Sequence, residues 1–317
     1  MKIQVITPAP LGAKNGNSIT ATRWAGILRE LGHRVALDHT YRGKPCDLLI
    51  ALHARRSFDS IERFHETYPD RPLIVVLTGT DLYRDIHRNR YAQRSLELAT
   101  RLVALQRMAY KELPKRLHSK TRIIYQSAAS YAAKAPIAKN GIFKVCVIGH
   151  LRKEKDPCRT AMAVRKLPAS SRIHVLHIGR PLDEALKNRV LVEAARNRRY
   201  RWVGVLPHSK TRRILARSHL MVITSLMEGS ANVLSEALAS SVPVIASKIS
   251  GLIGTLGENY PGYFQVGRTE ELTKILHKAE SDSRFYKTLK QRCASLRNLV
   301  APERELQDWK ALLRELG

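Results

Sequence analysis

The 317-residue sequence predicts an α/β protein with two doubly wound parallel sheets. Three observations predict it. Short, continuous apolar runs alternate with helix-length amphipathic stretches along the whole chain, the pattern of strands buried on both faces. A small, polar stretch at 128–141 has no apolar period and reads as a linker, after which the alternation restarts. The length fits two domains at roughly 100–200 residues each.

In the first half, strands are expected at 3–7, 35–37, 48–52, 73–78, 102–105 and 123–125. A helix is expected over 18–31, where Ile19, Trp24, Ile27, Leu28 and Leu31 form one apolar stripe. In the second half, strands are expected at 143–148, 173–178, 201–203, 220–224 and 243–246. Helices follow at 157–166, 182–195, 208–216, 231–240, 270–280 and 283–299. A last helix, 302–316, carries Leu306, Trp309, Leu312, Leu313 and Leu316 at helical spacing. The expected domains are two Rossmann-like halves facing across a cleft, 1–135 and 141–300. In such sheets ligands sit beyond the carboxyl ends of the strands.

No window approaches the ~18 consecutive apolar residues of a membrane span. The N-terminus lacks the layout of a signal peptide, so a cytoplasmic protein is expected. Cys46, Cys146, Cys158 and Cys293 lie far apart, which indicates neither a zinc site nor a disulfide framework. Charge is the outlier. Lys and Arg number 55 against 27 Asp and Glu, a net charge of +28, and residues 101–200 hold 23 basic and 6 acidic side chains. Such a field attracts nucleic acid, anionic lipid or phosphorylated small molecules, and it also serves solubility. With no zinc finger, aromatic-rich strand pair or repeated basic tract, nucleic acid is not the expected partner.

The first strand runs into a loop with Gly12, Lys14, Gly16 and Asn17, and Asp38 follows the second strand. The spacing is not that of a dinucleotide fingerprint, so a loop lining the ligand cleft is the better reading. In the second half, Thr224-Ser225-Leu226-Met227-Glu228-Gly229 leaves a strand, turns at the glycine and enters a helix near Ser230–Asn232. Free N–H groups and the positive dipole end of that helix suit a diphosphate. Glu228 and Glu236 are eight apart, close to the ~7.2 residues of two helical turns, so two carboxylates can flank one polyhydroxylated ligand. Strand 144–148 ends in Gly149-His150-Leu151-Arg152-Lys153-Glu154-Lys155-Asp156-Pro157. There Gly149 is expected to permit close backbone approach, Asp156-Pro157 to cap and start the next helix, and Arg152 and Lys155 to neutralise a leaving diphosphate.

These two segments resemble the G-R-L-x-x-E-K-G loop and the E-x7-E motif of GT-B glycosyltransferases of family 4, in order and spacing over nearly the whole chain. The resemblance implies that Arg152 and Lys155 contact the nucleotide diphosphate, Glu228 the donor sugar and Glu236 the ribose hydroxyls. It implies further donor contacts at Gly16, Asn17, His150, Gly179, Gly229, Ser230, Ala231, Asn232 and Val233, with the nucleobase read near Leu206, and a C-terminal helix, 302–317 with Trp309, that crosses back to the first domain. No Asp-x-Asp is present, so no metal or other cofactor is expected, and the cations and the helix dipole would meet the leaving-group charge.

A narrower resemblance, to the selenosugar synthases of selenoneine biosynthesis, is carried by Leu52-His53-Ala54-Arg55-Arg56-Ser57, by Leu77 through Ile86 with Asp81, by Ile124-Tyr125-Gln126-Ser127 and by Met227 through Val233. Ser230 stands where that family has a second glycine. The resemblance implies a UDP-hexose (UDP-glucose or UDP-N-acetylglucosamine) as donor and selenophosphate as acceptor. His53 is expected to turn into the cleft, and Arg55 and Arg56 to begin the next helix and hold a phosphorylated anion. Thr80, Asp81 and Arg84 are expected to add to that acceptor site, with His53 and Asp81 positioning rather than deprotonating. The alternative reading is a family-4 transferase with a lipid-linked acceptor and a weak association with anionic membrane through the basic 105–118 stretch.

Overall fold

The computed structural model describes residues 1–8, 16–131 and 141–317. The loop with Gly12 and Lys14, residues 132–140 of the linker expected over 128–141 and the domain edge at 135 lie outside the described residues. The chain divides into two compact units. Unit 1 comprises Met1–Gln126, Glu228–Asn232 and Pro302–Gly317, and unit 2 comprises Ser127–Met227 and Val233–Ala301.

Unit 1 holds β1 (Lys2–Ile6), β2 (Arg34–Asp38), β3 (Leu48–Leu52), β4 (Leu73–Leu77), β5 (Arg101–Ala104) and β6 (Thr121–Ile123), in the order β2-β1-β3-β4-β5-β6. Every pairing is parallel. Period-2 alternation sorts the side chains onto two faces. Leu48, Ile50, Leu52, Ile74 and Val76 pack with Trp24, Leu28, Trp309 and Leu312 from helices Gly16–Glu30 and Pro302–Arg314. Leu49, Ala51, Leu73, Val75 and Leu77 pack instead with Ile61, Phe64, Ala92 and Leu96 from helices Phe58–Thr67 and Arg90–Leu98. Both faces being apolar is why these strands read as unbroken hydrophobic runs.

The C-terminal helix is fastened to unit 1 by an aromatic and an ionic contact. Trp309 meets Trp24 edge-on, with centroids 4.8 Å apart, a geometry that adds about 0.5–1.5 kcal/mol beyond area burial. Glu305, 1% exposed, accepts hydrogen bonds from Trp24 Nε1 at 2.6 Å and Arg23 Nε at 2.9 Å.

Unit 2 holds β7 (Phe143–Ile148), β8 (Ile173–Ile178), β9 (Tyr200–Trp202), β10 (Leu220–Ile223), β11 (Val244–Ser247) and β12 (Tyr263–Phe264), in the order β12-β11-β10-β7-β8-β9 and again all parallel. In each sheet the strand order reverses beside the first strand of the unit, between β1 and β3 and between β7 and β10. In open α/β sheets ligands bind beyond the strand carboxyl ends at such switch points.

Several expected elements shift. The strand expected at 123–125 is Thr121–Ile123, although Ile124 N–H still donates to Ala104 O at 3.0 Å. Helix 283–299 ends at Ser295 and continues as a 3-10 turn over Arg297–Val300. Among the elements that the sequence did not mark, β12 has only two residues, and helix Ser250–Leu256 contains two glycines.

Candidate active site

In unit 1 the site grows from the ends of β3 and β4. His53 follows β3 directly and takes φ +76°, a left-handed conformation uncommon outside glycine. Its ring is 2% exposed. Nδ1 accepts the Arg56 N–H at 3.3 Å, so the proton sits on Nε2 and donates to Thr80 Oγ1 at 3.0 Å. Burial pushes the imidazole below its usual pKa and keeps it neutral. The ring therefore does not open to a ligand as expected; both nitrogens are engaged inside the protein.

Asp81, fully buried, holds this loop together. Oδ2 accepts Ala54 N–H at 3.0 Å, while Oδ1 accepts Thr78 N–H at 2.9 Å and Gly79 N–H at 2.8 Å. The carboxylate thus ties the ends of β3 and β4 together and is occupied by backbone rather than presented to a substrate. Asp81 begins a π-helical turn, Asp81–Asp85, an irregularity frequent at functional sites.

Arg55 and Arg56 lie in the turn just before helix Phe58–Thr67 rather than on it. Both are exposed. Arg55 Nε stands 3.2 Å and Arg84 Nε 3.0 Å from the carboxylate of buried Asp85. Asp85 therefore gathers two half-exposed guanidiniums on one side of the loop.

Unit 1 also contains Glu228–Asn232. A Cβ on Gly229 would fall 2.1 Å from Thr78 O and 2.8 Å from Gly79 N, so only glycine lets these backbones approach so closely. Glu228 is 8% exposed; burial first, and then the charges of Glu112 and Glu228, raise the pKa of the half-buried Tyr83 phenol. Ala231 is buried, Ser230 and Asn17 are half-buried and Gly16 is exposed at the start of its helix. Arg23, held by Glu305, donates from Nη1 to Asn232 Oδ1 at 3.0 Å.

In unit 2 the loop after β7 carries His150, Arg152 and Lys155. Arg152 is exposed, and Lys153–Lys155 form a 3-10 turn. Thr224 Oγ1 donates to Lys155 O at 2.8 Å, and Leu226 N–H to Glu154 O at 2.8 Å, which pins this loop to the one after β10. A small hollow at these strand ends is lined by Gly149, Lys155, His177, Thr224, Ser225 and Val233.

Three expectations need correction here. Gly149 is not the glycine that allows close approach. Gly179 is, since a Cβ there would fall 1.8 Å from Gly149 O. Asp156 does not cap the next helix: it takes φ +44°, its carboxylate accepts Arg159 Nε at 2.7 Å, and the helix begins at Arg159 after Cys158. Glu228 and Glu236 do not share two helical turns, because helix Asn232–Ala239 starts four residues after Glu228. Glu236 Oε1 accepts from His208 Nε2 at 2.8 Å, a bond that raises the His208 pKa. Leu206 is half-buried in the segment after β9.

Residues 132–295, a little over half of the chain, match the family described as glycosyl transferases group 1. The chain belongs to that family. Among solved structures, it is similar to Anabaena HepE in complex with UDP and glucose, at 16% identity over 100% of both chains and TM-score 0.80. It is also similar to sucrose-phosphate synthase from Thermosynechococcus elongatus, at 15% identity over 99% of this chain and 98% of that one, TM-score 0.80. At these identities the likeness is one of fold, and the fold is GT-B.

In this group 1 glycosyl transferase, the segments singled out in the sequence gather at the strand ends of their own units: His53, Thr80, Asp81, Arg84 and Glu228 in unit 1, and His150, Arg152 and Lys155 in unit 2. Sequence reasoning gave no role to Tyr83 or Asp85, although both fall inside the 77–86 segment, and it missed Arg23, His177 and Tyr200, which lie in no local motif. Among the described residues, no group of three His, Cys, Asp or Glu is placed to hold a metal, and no helix is long and apolar enough to cross a membrane. All four cysteines are buried free thiols.

Proposed function

We propose that this group 1 glycosyl transferase moves a hexosyl group from a UDP-sugar, UDP-glucose or UDP-N-acetylglucosamine, to selenophosphate, as the first step towards a 1-selenosugar. The observation that carries the donor half is the pinned loop of unit 2. Lys155 lines a hollow at the β7–β10 switch point together with Gly149 and Thr224, and Arg152 is an exposed cation in the same loop. Cations and backbone N–H groups at strand carboxyl ends suit a diphosphate. HepE, similar over its whole length, has been captured with UDP-glucose. The acceptor half rests on the segments resembling selenosugar synthases and on the Arg55–Asp85–Arg84 cluster, whose guanidiniums suit a small phosphorylated anion.

Chemically, a selenium lone pair attacks the anomeric carbon while the bond from C1 to the diphosphate oxygen breaks and its electron pair leaves on UDP; water then cleaves the Se–P bond, releasing phosphate and the 1-selenosugar. A chalcogen anion needs no general base, which agrees with a neutral His53 whose nitrogens are occupied. His53 and Asp81 act as positioning residues that shape the acceptor loop. Arg152, Lys155 and the N-terminal end of helix Asn232–Ala239 meet the leaving-group charge without a metal.

The test is incubation with either UDP-sugar, with and without selenophosphate and with excess EDTA, following UDP and the selenosugar by mass spectrometry. UDP release dependent on selenophosphate and insensitive to EDTA is expected. Release that needs a lipid-linked acceptor instead overturns the acceptor assignment. An absolute requirement for added Mg²⁺ or Mn²⁺ overturns the metal-free reading.

A further inference from the structure

The most unusual buried polar group outside the predicted site is His177, at the end of β8. Its side chain is 1% exposed, and both ring nitrogens have partners in unit 2. Nε2 lies 3.0 Å from Gly149 O and Nδ1 2.6 Å from Tyr200 Oη. A carbonyl only accepts, so Nε2 must carry the proton, and Nδ1 is left to accept from the Tyr200 hydroxyl. The tautomer is forced by geometry. Burial supports it by pushing the imidazole down to about 4 and the phenol up, so that neither charges near neutrality.

This pair acts on one peptide. Gly149 O lies against Gly179, where a Cβ would clash at 1.8 Å, and it accepts the His177 proton. Gly179 is fixed in turn: its carbonyl accepts Trp202 Nε1 at 3.0 Å and its N–H donates to Gly204 O at 2.7 Å. In a planar trans peptide the carbonyl and the following N–H point opposite ways. Clamping Gly149 O onto β8 therefore turns the His150 N–H to the other side of the peptide. From there the chain runs on to Arg152 and Lys155, and His177 and Gly149 line the same hollow.

We infer that His177, oriented by Tyr200, is a positioning residue that fixes the Gly149–His150 peptide and so holds the loop that receives the donor's diphosphate. The inference rests on the proposed UDP-sugar function for the identity of the ligand, but the clamp can be tested without it. An oriented peptide dipole in a dry site stabilises charge without reorganising, whereas a loop free to rotate must be ordered on each binding event.

The experiment compares wild type with His177→Phe, His177→Gln and Tyr200→Phe. UDP affinity is measured by calorimetry, and amide hydrogen exchange at Leu151, whose N–H donates to Arg180 O, is measured without ligand. His177→Phe keeps the ring volume and loses both bonds, so UDP binding should weaken about tenfold and Leu151 exchange should quicken. His177→Gln, whose amide can still donate to Gly149 O, should recover most of both effects. Tyr200→Phe, which removes one oxygen, should fall between. Unchanged Leu151 exchange in a folded His177→Phe protein overturns the clamp, and so does equal impairment of the Phe and Gln variants. Should wild type itself fail to bind UDP, the proposed function falls, while the exchange data still decide whether His177 holds the loop.

Discussion

Asp81→Ala removes the acceptor at the centre of the unit 1 loop, and its cost can be worked from the geometry. The carboxylate is fully buried and accepts N–H groups of Ala54, Thr78 and Gly79 at 2.8–3.0 Å. A hydrogen bond to a charged acceptor contributes about 1.5–3 kcal/mol, and a buried donor left without one costs a similar amount. The Ala54 and Gly79 bonds are fully buried, so with some relaxation the loss should be about 4 kcal/mol. With an m-value of about 2 kcal/mol per molar urea, the midpoint of unit 1 should fall by about 2 M. Two of the three tryptophans, Trp24 and Trp309, belong to unit 1, so fluorescence follows that unit. Asp81→Asn keeps an acceptor at Oδ1 but sets an amide N–H₂ against the Ala54 N–H, and about half the loss is expected. A midpoint shift below about 0.5 M for Asp81→Ala, or ~1 kcal/mol, would refute the reasoning.

Gly229→Ala should lower turnover at least about tenfold, because its Cβ would sit 2.1 Å from Thr78 O and force the two backbones apart; wild-type UDP release would contradict this. Arg55→Ala should raise the KM for selenophosphate while UDP affinity stays at the wild-type value, and Arg55→Lys should recover only part, since a point charge cannot reproduce a guanidinium fork; normal saturation by the Ala variant would move the acceptor elsewhere. Stability should also depend on pH through His177. Its pKa is lowered on folding from 6.5 to about 4, so the unfolded chain binds the extra proton first. Stability then falls as pH drops from about 6.5 to about 4, by roughly 3 kcal/mol in all, and is unaffected by this group above that window. Urea titrations of wild type and His177→Gln at pH 7 and 4.5 check the sign: equal pH dependence in both proteins would rule His177 out as the cause.

The alternation of elements was legible because burial on both sheet faces leaves a local mark, the unbroken apolar run. Leu48–Leu52 and Leu73–Leu77 are apolar at every position, each residue packing on one face or the other. Element ends were less legible. Where β6 stops depends on its pairing with β5, and the two-residue β12 exists only because Ala246 and Ser247 offer it a partner. The basic loop after β7 and the Glu228-Gly229 turn could be found because their residues are contiguous. Their details could not. Gly149 looked like the close-approach glycine from its own neighbours, whereas Gly179 carries that role through a contact thirty positions away in the chain.

By itself, then, the sequence determined the α/β class, the break into two halves and the segments at strand carboxyl ends, since hydrophobic period and turn chemistry act between near neighbours. Tertiary structure alone decided what each polar group does. Asp81 reads as a candidate for substrate until the N–H of Ala54, twenty-seven residues earlier, is found on its oxygen. His53 reads as a ligand-facing ring until Thr80 and the Arg56 N–H occupy both nitrogens. His177 carries no motif, yet Gly149 and Tyr200 force its tautomer. The physical reason is that a buried polar side chain takes its role from whichever partners satisfy it, and in a parallel sheet these include groups at a neighbouring strand end distant in the chain.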